Sequence, residues 1–145
     1  MKENDEVKVK GSLKVMVFKN GILVDTWEDR NMVLAAGRSA VAALMAGDVA
    51  GKAIARIGFG VSVTPPTPED SALTDPFIKS IDGAGCPTPE QAQFAWSLAG
   101  SEANGKTITE FGLFCSDGTL FARKTRAAIA KEPDISLAGT WTISF

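Results

Sequence analysis

The final stretch of the sequence, residues 135–145, alternates strictly between two kinds of side chain. Successive side chains of a β-strand point to opposite faces of a sheet, so this period of two predicts a long strand with one face in a core. The opposite face carries only serine, threonine and alanine. We expect Phe145 itself to belong to the sheet. The face predicted to point into the core consists of Ile135, Leu137, Gly139, Trp141, Ile143 and Phe145.

Two turn signals predict β-hairpins elsewhere in the chain. Asn-Gly at 20–21 and Asp-Gly at 117–118 each lie between runs of β-favouring residues. Both dipeptides suit the positive φ angles of a tight type I′ turn. A two-residue turn at the first site would set Val17 opposite Val24. Before the second turn, the predicted strand 107–115 has apolar residues on both faces, which indicates a central position in its sheet.

One segment has helical rather than strand periodicity. Between residues 34 and 45, apolar side chains share one helical stripe among several alanines, which favour helix. Asn31 is a possible N-terminal cap, and Gly47 is well placed as the C-terminal stop. We therefore expect a mainly β chain, an antiparallel β-sandwich of about seven or eight strands with one short α-helix at about 35–46.

The chain of 145 residues has the size of a single domain. We expect residues 1–6, which are polar, to form a flexible N-terminus, and residues 7–145 to form one β-rich domain. Two long loops are expected within it, at 62–76 and 83–91. The first contains four prolines, which are excluded from central strands. A loop of this length in a small domain is usually functional or a linker.

Composition argues against several classes of protein. The chain contains no histidine and no tyrosine, and histidine is the commonest general base and metal ligand. We therefore expect a non-enzymatic protein with no catalytic residues, no cofactor and no metal site. The net charge of −2 gives no basic excess for nucleic acid, and no apolar run has the roughly 20 residues of a membrane helix. Cys86 and Cys115 are too few for a disulfide framework.

Glu110 lies within the apolar strand 107–115 and needs a partner if it is buried. Arg123, on the strand that follows the Asp-Gly turn, is the predicted partner, and Arg56 is an alternative. The pair has two interpretations. It is either a structural ion pair within one chain or a pair between subunits that fixes their register.

A second set of residues is predicted to contact another subunit or a partner protein. Gly58 and Gly60 leave one face of the predicted strand 53–61 bare, so another strand or a neighbouring chain could approach closely there. The proline loop adds further candidates, because loops carry many interactions. The predicted contact residues are Gly58, Gly60, Pro65, Pro66, Pro68 and Leu73.

Several stretches of residues 31–145, in this order, resemble a pattern of bacteriophage tail-fibre and tail-collar proteins. In the most specific of them, the run from Ile108 resembles the signature I-x-E-x-G-L-F…D-G-x-L. The closing WTISF is similar to the last strand of those proteins. The other stretches are 31–38 (NMVLAAGR), 54–60 (IARIGFG), 64–74 (TPPTPEDSALT) and 101–123 (SEANGKTITEFGLFCSDGTLFAR).

The resemblance implies a virion structural protein of the tail, baseplate or fibre-attachment collar, assembled in the host bacterial cytoplasm. Its implied partners are itself, as a homotrimer or ring, and other virion proteins, with neither nucleic acid nor membrane involved. One alternative is a capsid decoration or head-fibre protein. Another is a carbohydrate-binding β-module with Trp27 or Trp96 as its stacking platform. Because the sequence stops at Phe145, we expect a connector or surface component without a receptor-binding tip.

Overall fold

The computed structural model describes residues 9–145, which form nine strands and one α-helix. The predicted class, a mainly β antiparallel sandwich with one helix, is confirmed. The predicted flexible terminus 1–6 lies outside the described residues. One strand more than the predicted seven or eight is present because β5 lies inside the segment expected to be a loop at 83–91. The elements are β1 (Lys10–Lys19), β2 (Ile22–Val33), α1 (Ala35–Met45), β3 (Ile54–Gly60), β4 (Phe77–Ser80), β5 (Gly83–Gly85), β6 (Gln91–Leu98), β7 (Thr107–Cys115), β8 (Leu120–Ala130) and β9 (Ile135–Ser144).

The strands follow the order β4-β3-β7-β8-β2-β1-β9-β6-β5 and curl into two layers. Sheet I contains β2, β1, β9, β6 and β5, and sheet II contains β4, β3, β7 and β8. β2 joins the two layers, because it pairs along β1 and then with β8 through Met32 and Val33. On the other side, β4 pairs with β3 while β5 pairs with β6. A strand that pairs within both sheets, as β2 does, forms a corner of the sandwich.

Three aromatic rings meet at the centre of the core. Trp96 from sheet I lies 5.6 Å from Phe59 and 5.7 Å from Phe111, measured between ring centroids, and both phenylalanines belong to sheet II. Such tilted and edge-to-face pairs stabilise a core beyond their buried area. Gly139 makes room for the tryptophan, because a Cβ at that position would lie 2.6 Å from the Trp96 ring. The two layers are therefore held together by direct aromatic contact.

The predicted alternation of the last strand is confirmed between Leu137 and Ile143, where every second residue is buried. The expectation for Phe145 is wrong. β9 ends at Ser144, and Phe145 is 48% exposed. Its backbone N–H donates to the carbonyl of Glu90 at 3.0 Å, outside the ladder. Its side chain instead borders an open end of the sandwich.

The first hairpin turns where the sequence predicts, with positive φ at Asn20 and Gly21. The predicted pairing of Val17 is wrong. Val17 lies opposite Asp25 rather than Val24, because the register shifts between Val17 and Phe18. A bulge of this kind inserts one unpaired residue into a strand and increases its twist.

The helix α1 agrees closely with the predicted range of 35–46. Its N-cap is Leu34 rather than Asn31, because β2 continues to Val33 before the chain turns. Asn31 instead accepts a hydrogen bond from the indole of Trp141, 2.8 Å from its side-chain oxygen. Gly37 lets the helix approach β8, since a side chain there would collide with the carbonyl of Phe121.

Candidate partner-binding site: the clamped proline loop

Residues 62–76 form a loop that folds over the outer face of sheet II; we call it the proline loop. Leu73 anchors it, packing with Leu34, Phe114 and Leu120 in a small second core. Gly58 leaves space for this anchor, because a Cβ there would lie 2.9 Å from the Leu73 side chain. The loop thus explains why β7 has apolar residues on both faces. One face points into the sandwich and the other is covered by the loop.

The predicted pair of Glu110 and Arg123 lies beneath the loop. Arg123 Nε donates to Glu110 Oε2 at 2.7 Å, and the two residues are 3% and 0% exposed. Arg56, the alternative partner, is exposed. The contact forms within one chain rather than between subunits. A buried charged pair of this kind depends on further hydrogen bonds to offset the loss of hydration.

Glu110 supplies those further bonds at the base of the loop. Its Oε1 accepts hydrogen bonds from the backbone N–H groups of Ser62, at 3.3 Å, and Thr74, at 2.6 Å. Val61 N also donates to the carbonyl of Thr74 at 3.1 Å. The two ends of the loop therefore converge on one carboxylate oxygen. Gly60 is required here, because the Glu110 carboxylate occupies the space that a side chain would fill.

Arg123 holds the far part of the loop. Its two terminal nitrogens donate to Asp70 Oδ2 and to the carbonyl of Thr64, each at 2.9 Å. Asp70 also accepts from the backbone and hydroxyl of Thr67, at 2.9 and 2.8 Å. Burial alone would raise the pKa of Asp70, but the bonds from Thr67 and Arg123 outweigh it and lower that pKa. Asp70 is therefore ionised at neutral pH and completes a chain of three charges.

The arrangement fixes the shape of the loop rather than presenting a reactive group. Both carboxylate oxygens of Glu110 and all three nitrogens of the Arg123 guanidinium are engaged internally. Charge-assisted hydrogen bonds of this kind are short and strong. The site can therefore act as a rigid platform, and the surface of the loop is what a partner would meet.

The predicted contact residues divide into two groups. Pro65 and Pro68 are exposed and Pro66 is half-buried, so these three lie at the loop surface beside Val63, which is 75% exposed. The prediction for Gly58, Gly60 and Leu73 needs correction, because all three are buried inside the chain. The bare glycine face does receive a close approach, but from the chain's own side chains, Leu73 of the loop at Gly58 and Glu110 of β7 at Gly60.

Asp70 is the site residue that the sequence does not connect with the ion pair. Its sequence neighbours Thr67 and Pro68 give the pattern T-P-E-D, in which an aspartate side chain can bond the backbone three residues earlier. That local signal predicts a turn. It does not predict that Arg123, far along the chain, completes the aspartate's hydrogen bonds.

A second cluster of charged side chains lies between β2 and β8, around Trp27. The Trp27 ring lies beneath Arg126 and Lys124, whose charged groups are 5.1 and 5.8 Å from its centroid. Lys124 also donates to Asp29 at 2.9 Å. Trp96, the other tryptophan considered as a platform, is 1% exposed. Neither ring thus offers a fully open face to a sugar.

Lys131 is a buried cation outside the loop. Its ammonium donates to the carbonyls of Gly100 and Glu132, both at 3.1 Å, and to the side chain of Asn104 at 2.9 Å. Burial lowers the pKa of Lys131. These hydrogen bonds connect the 99–105 turn to the end of β8, so Lys131 has a structural role.

Among residues 9–145, no group of three or more acidic or cysteine side chains is arranged to hold a metal ion. Cys86 is exposed and Cys115 is buried, and burial raises the pKa of the Cys115 thiol. None of the helical structure in the described part of the chain is long and apolar enough to cross a membrane. Comparisons with family models, with curated proteins and with solved structures found no significant match.

Proposed function

We propose that this chain is a bacteriophage virion structural protein, a non-enzymatic assembly component of the tail, the baseplate or the fibre-attachment collar. The clamp of the proline loop by Glu110 and Arg123 carries the proposal. The signature I-x-E-x-G-L-F…D-G-x-L, which resembles that of tail-collar and fibre domains, contains Glu110 and ends three residues before Arg123. The most specific part of the resemblance thus coincides with the residues that fix a surface loop.

A fixed loop suits a contact between proteins. Binding by a flexible segment costs conformational entropy, and a segment already held in one shape avoids that cost. The proline loop combines this rigidity with exposed apolar and proline side chains at Val63, Pro65 and Pro68. We assign it as the surface that meets another virion protein, while copies of the chain assemble with one another as a trimer or ring.

The carbohydrate-binding alternative has less support. A sugar platform needs an aromatic ring with one face open to solvent beside polar groups. Trp96 is buried, and the Trp27 ring is occupied by Arg126. The described tryptophan environments therefore favour an assembly component over a lectin.

Imaging of intact particles tests the proposal directly. An antibody raised against the full chain is added to purified particles and located by electron microscopy. We expect label at the tail, baseplate or collar. Label distributed over the head would replace the proposal with a capsid decoration protein, and particles that carry no copy of the chain would overturn both.

A matched pair of variants tests the role of the loop. Val63→Glu places a charge on the loop surface, and Ala95→Glu places the same charge on the exposed outer face of sheet I. Particles assembled without the chain are incubated with each purified variant. We expect Val63→Glu to reduce incorporation at least about tenfold, because a buried charge at an interface is costly, and Ala95→Glu to incorporate normally. Equal loss for both variants would remove the loop from the contact.

A further inference from the structure

One end of the sandwich contains an open apolar groove of about 300 Å³ between the two sheets, beside α1. Its wall is formed by Val41 and Leu44 of the helix, by Phe94, Phe121 and Ile143 of the strands, and by Phe145, which follows β9. Leu44 and Phe145 remain 38% and 48% exposed. An apolar cavity of about 150 Å³ already accommodates a benzene ring, so this groove is large enough for two aliphatic side chains.

The opposite end of the molecule carries an apolar tip. Ile22, Leu23 and Val24 begin β2, directly after the first hairpin turn, and are 68%, 50% and 56% exposed. The ladder between β1 and β9 sets the separation. Lys19, beside the tip, pairs with Ile135, whereas Lys10 pairs with Ser144, beside the groove. A ladder of this length spans about 30 Å, so the two apolar surfaces lie at opposite ends of the strands.

One pair of opposite charges borders the two surfaces. Lys52 lies at the groove, where its ammonium is 3.2 Å from Asp117 and retains further N–H donors. Asp25 follows Val24 directly and is exposed. With the tip in the groove, the carboxylate of one copy would lie near the ammonium of the next. Opposite charges around an apolar contact guide association and fix its orientation.

We infer that the chain associates head to tail, with the 22–24 tip of one copy seated in the apolar groove of the next. Two different surfaces of the same chain meet in such a heterologous contact, so a pair of copies leaves one tip and one groove open. Association continues until a rotation closes a ring, or it extends as a filament. This inference rests on the self-assembly part of the proposed function and specifies which surfaces carry it.

Sedimentation velocity of the full chain over a range of concentrations tests this contact. We expect the wild type to form species larger than dimers. Leu23→Glu removes the tip and Leu44→Glu removes the groove, and each should weaken association at least about tenfold, because a partly exposed leucine contributes that much to an apolar contact. Both positions are solvent-accessible in the single chain, and circular dichroism of each variant confirms that the fold is kept. Ile22→Glu serves as a second tip variant.

Mixing the two variants is the decisive step. The Leu23→Glu chain keeps its groove and the Leu44→Glu chain keeps its tip, so an equimolar mixture should form a dimer and stop there. Ala95→Glu, which places the same charge at an exposed site on the outer face of sheet I, should assemble as the wild type does.

Three outcomes would overturn the inference. They are a wild type that stays monomeric, a Leu44→Glu chain that assembles normally, and a mixture that forms no dimer. Loss of assembly with Leu23→Glu alone would indicate tip-to-tip pairing. A monomeric wild type whose groove binds the apolar dye anilinonaphthalene sulfonate, with binding lost in Leu44→Glu, would instead identify the groove as a small-molecule pocket. Antibody label on particles combined with a monomeric chain would leave the proposed function standing without this contact.

Discussion

The outer faces of the two sheets differ in polarity and in how far they are covered. The outer face of sheet I carries a ladder of small polar side chains, joined by hydrogen bonds such as Gln93 to Thr142 at 3.1 Å, and its residues remain half-buried or exposed. The central part of the outer face of sheet II is buried under the proline loop and contains the Glu110–Arg123 pair. Sheet I therefore has a polar outer face that is exposed to water. Sheet II has an apolar outer face, whose central part the proline loop covers as a third layer. A β-sheet with two apolar faces is stable in water only when something covers both.

The largest expected effect comes from breaking the pair under that third layer. Arg123→Met leaves Glu110 buried without its charged partner, and breaking a buried pair in this way costs about 3–5 kcal/mol. Thr140→Val, on the outer face of sheet I, should change stability by less than about 0.5 kcal/mol. Denaturant unfolding of the three proteins measures both values.

A double variant sharpens the same contrast. Adding Glu110→Gln to Arg123→Met removes the unpaired buried charge, so part of the lost free energy of unfolding should return. A double variant that is less stable than Arg123→Met would show that the carboxylate stabilises the loop without the arginine, through Ser62 and Thr74.

The next effect tests the glycines that make room for the loop. Gly58→Ala puts a Cβ 2.7 Å from the Phe114 ring and 2.9 Å from Leu73, and such overpacking typically costs about 1–3 kcal/mol. Gly83 of sheet I is the matched control, since its Cβ would meet no atom within 4 Å. We expect Gly83→Ala to be neutral or slightly stabilising in thermal unfolding. Equal destabilisation by both changes would contradict the contrast between the faces.

Acid should weaken the attachment of the proline loop to sheet II before it affects the outer face of sheet I. The pKa of Asp70 is lowered in the folded chain, so its ionised form contributes stability that is complete above the unfolded value near 3.8 and is lost as the pH falls through the lower folded value. We expect proteolysis within the proline loop to increase below about pH 4. In Asp70→Asn this increase should be smaller, because the variant lacks the titrating group. A loop that stays protected in the wild type down to pH 2 would contradict the expectation.

A small effect is also expected where a hydrogen bond is removed from the outer face of sheet I. Thr142→Val removes the hydrogen bond from Gln93 and adds a β-branched apolar side chain that suits a strand. The free energy of unfolding should change by less than about 1 kcal/mol, since a partly exposed hydrogen bond contributes little net stability. A loss as large as that of Arg123→Met would mean that sheet I depends on its outer face after all.

The difference between the sheets also separates what the sequence predicts from what it does not. Period-two alternation correctly predicts which side of β9 enters the core, because that pattern is local. It does not predict the register of Val17, since a bulge is set by twist and packing across strands. Nor does it predict β5, whose Gly-Ala-Gly sequence has no strand propensity and pairs only because β6 is beside it.

The contacts of the candidate site likewise include one that the sequence predicts and others that it does not. Glu110 and Arg123 lie on neighbouring strands of one hairpin, so their pairing follows from the turn and from the cost of burying a carboxylate. The sequence of the proline loop has no periodic pattern from which its path could be predicted. Its contacts with Glu110 and Arg123 join residues up to 59 positions apart. The sequence therefore indicates the ion pair but not the loop that it holds. For the same reason the bare faces of Gly58 and Gly60 suggest a neighbouring chain where Leu73 of the loop and the carboxylate of Glu110 lie.

The clamp binds the loop largely through its main chain. Ser62 and Thr74 contribute backbone N–H groups and Thr64 contributes a carbonyl, whereas Asp70 alone contributes a side chain to Arg123. Most side chains of the loop take no part in these bonds, so we expect substitutions at those positions to leave the shape of the loop unchanged. The surface of the loop can therefore be altered at outward-facing positions such as Val63 and Pro65 without altering the sandwich beneath it.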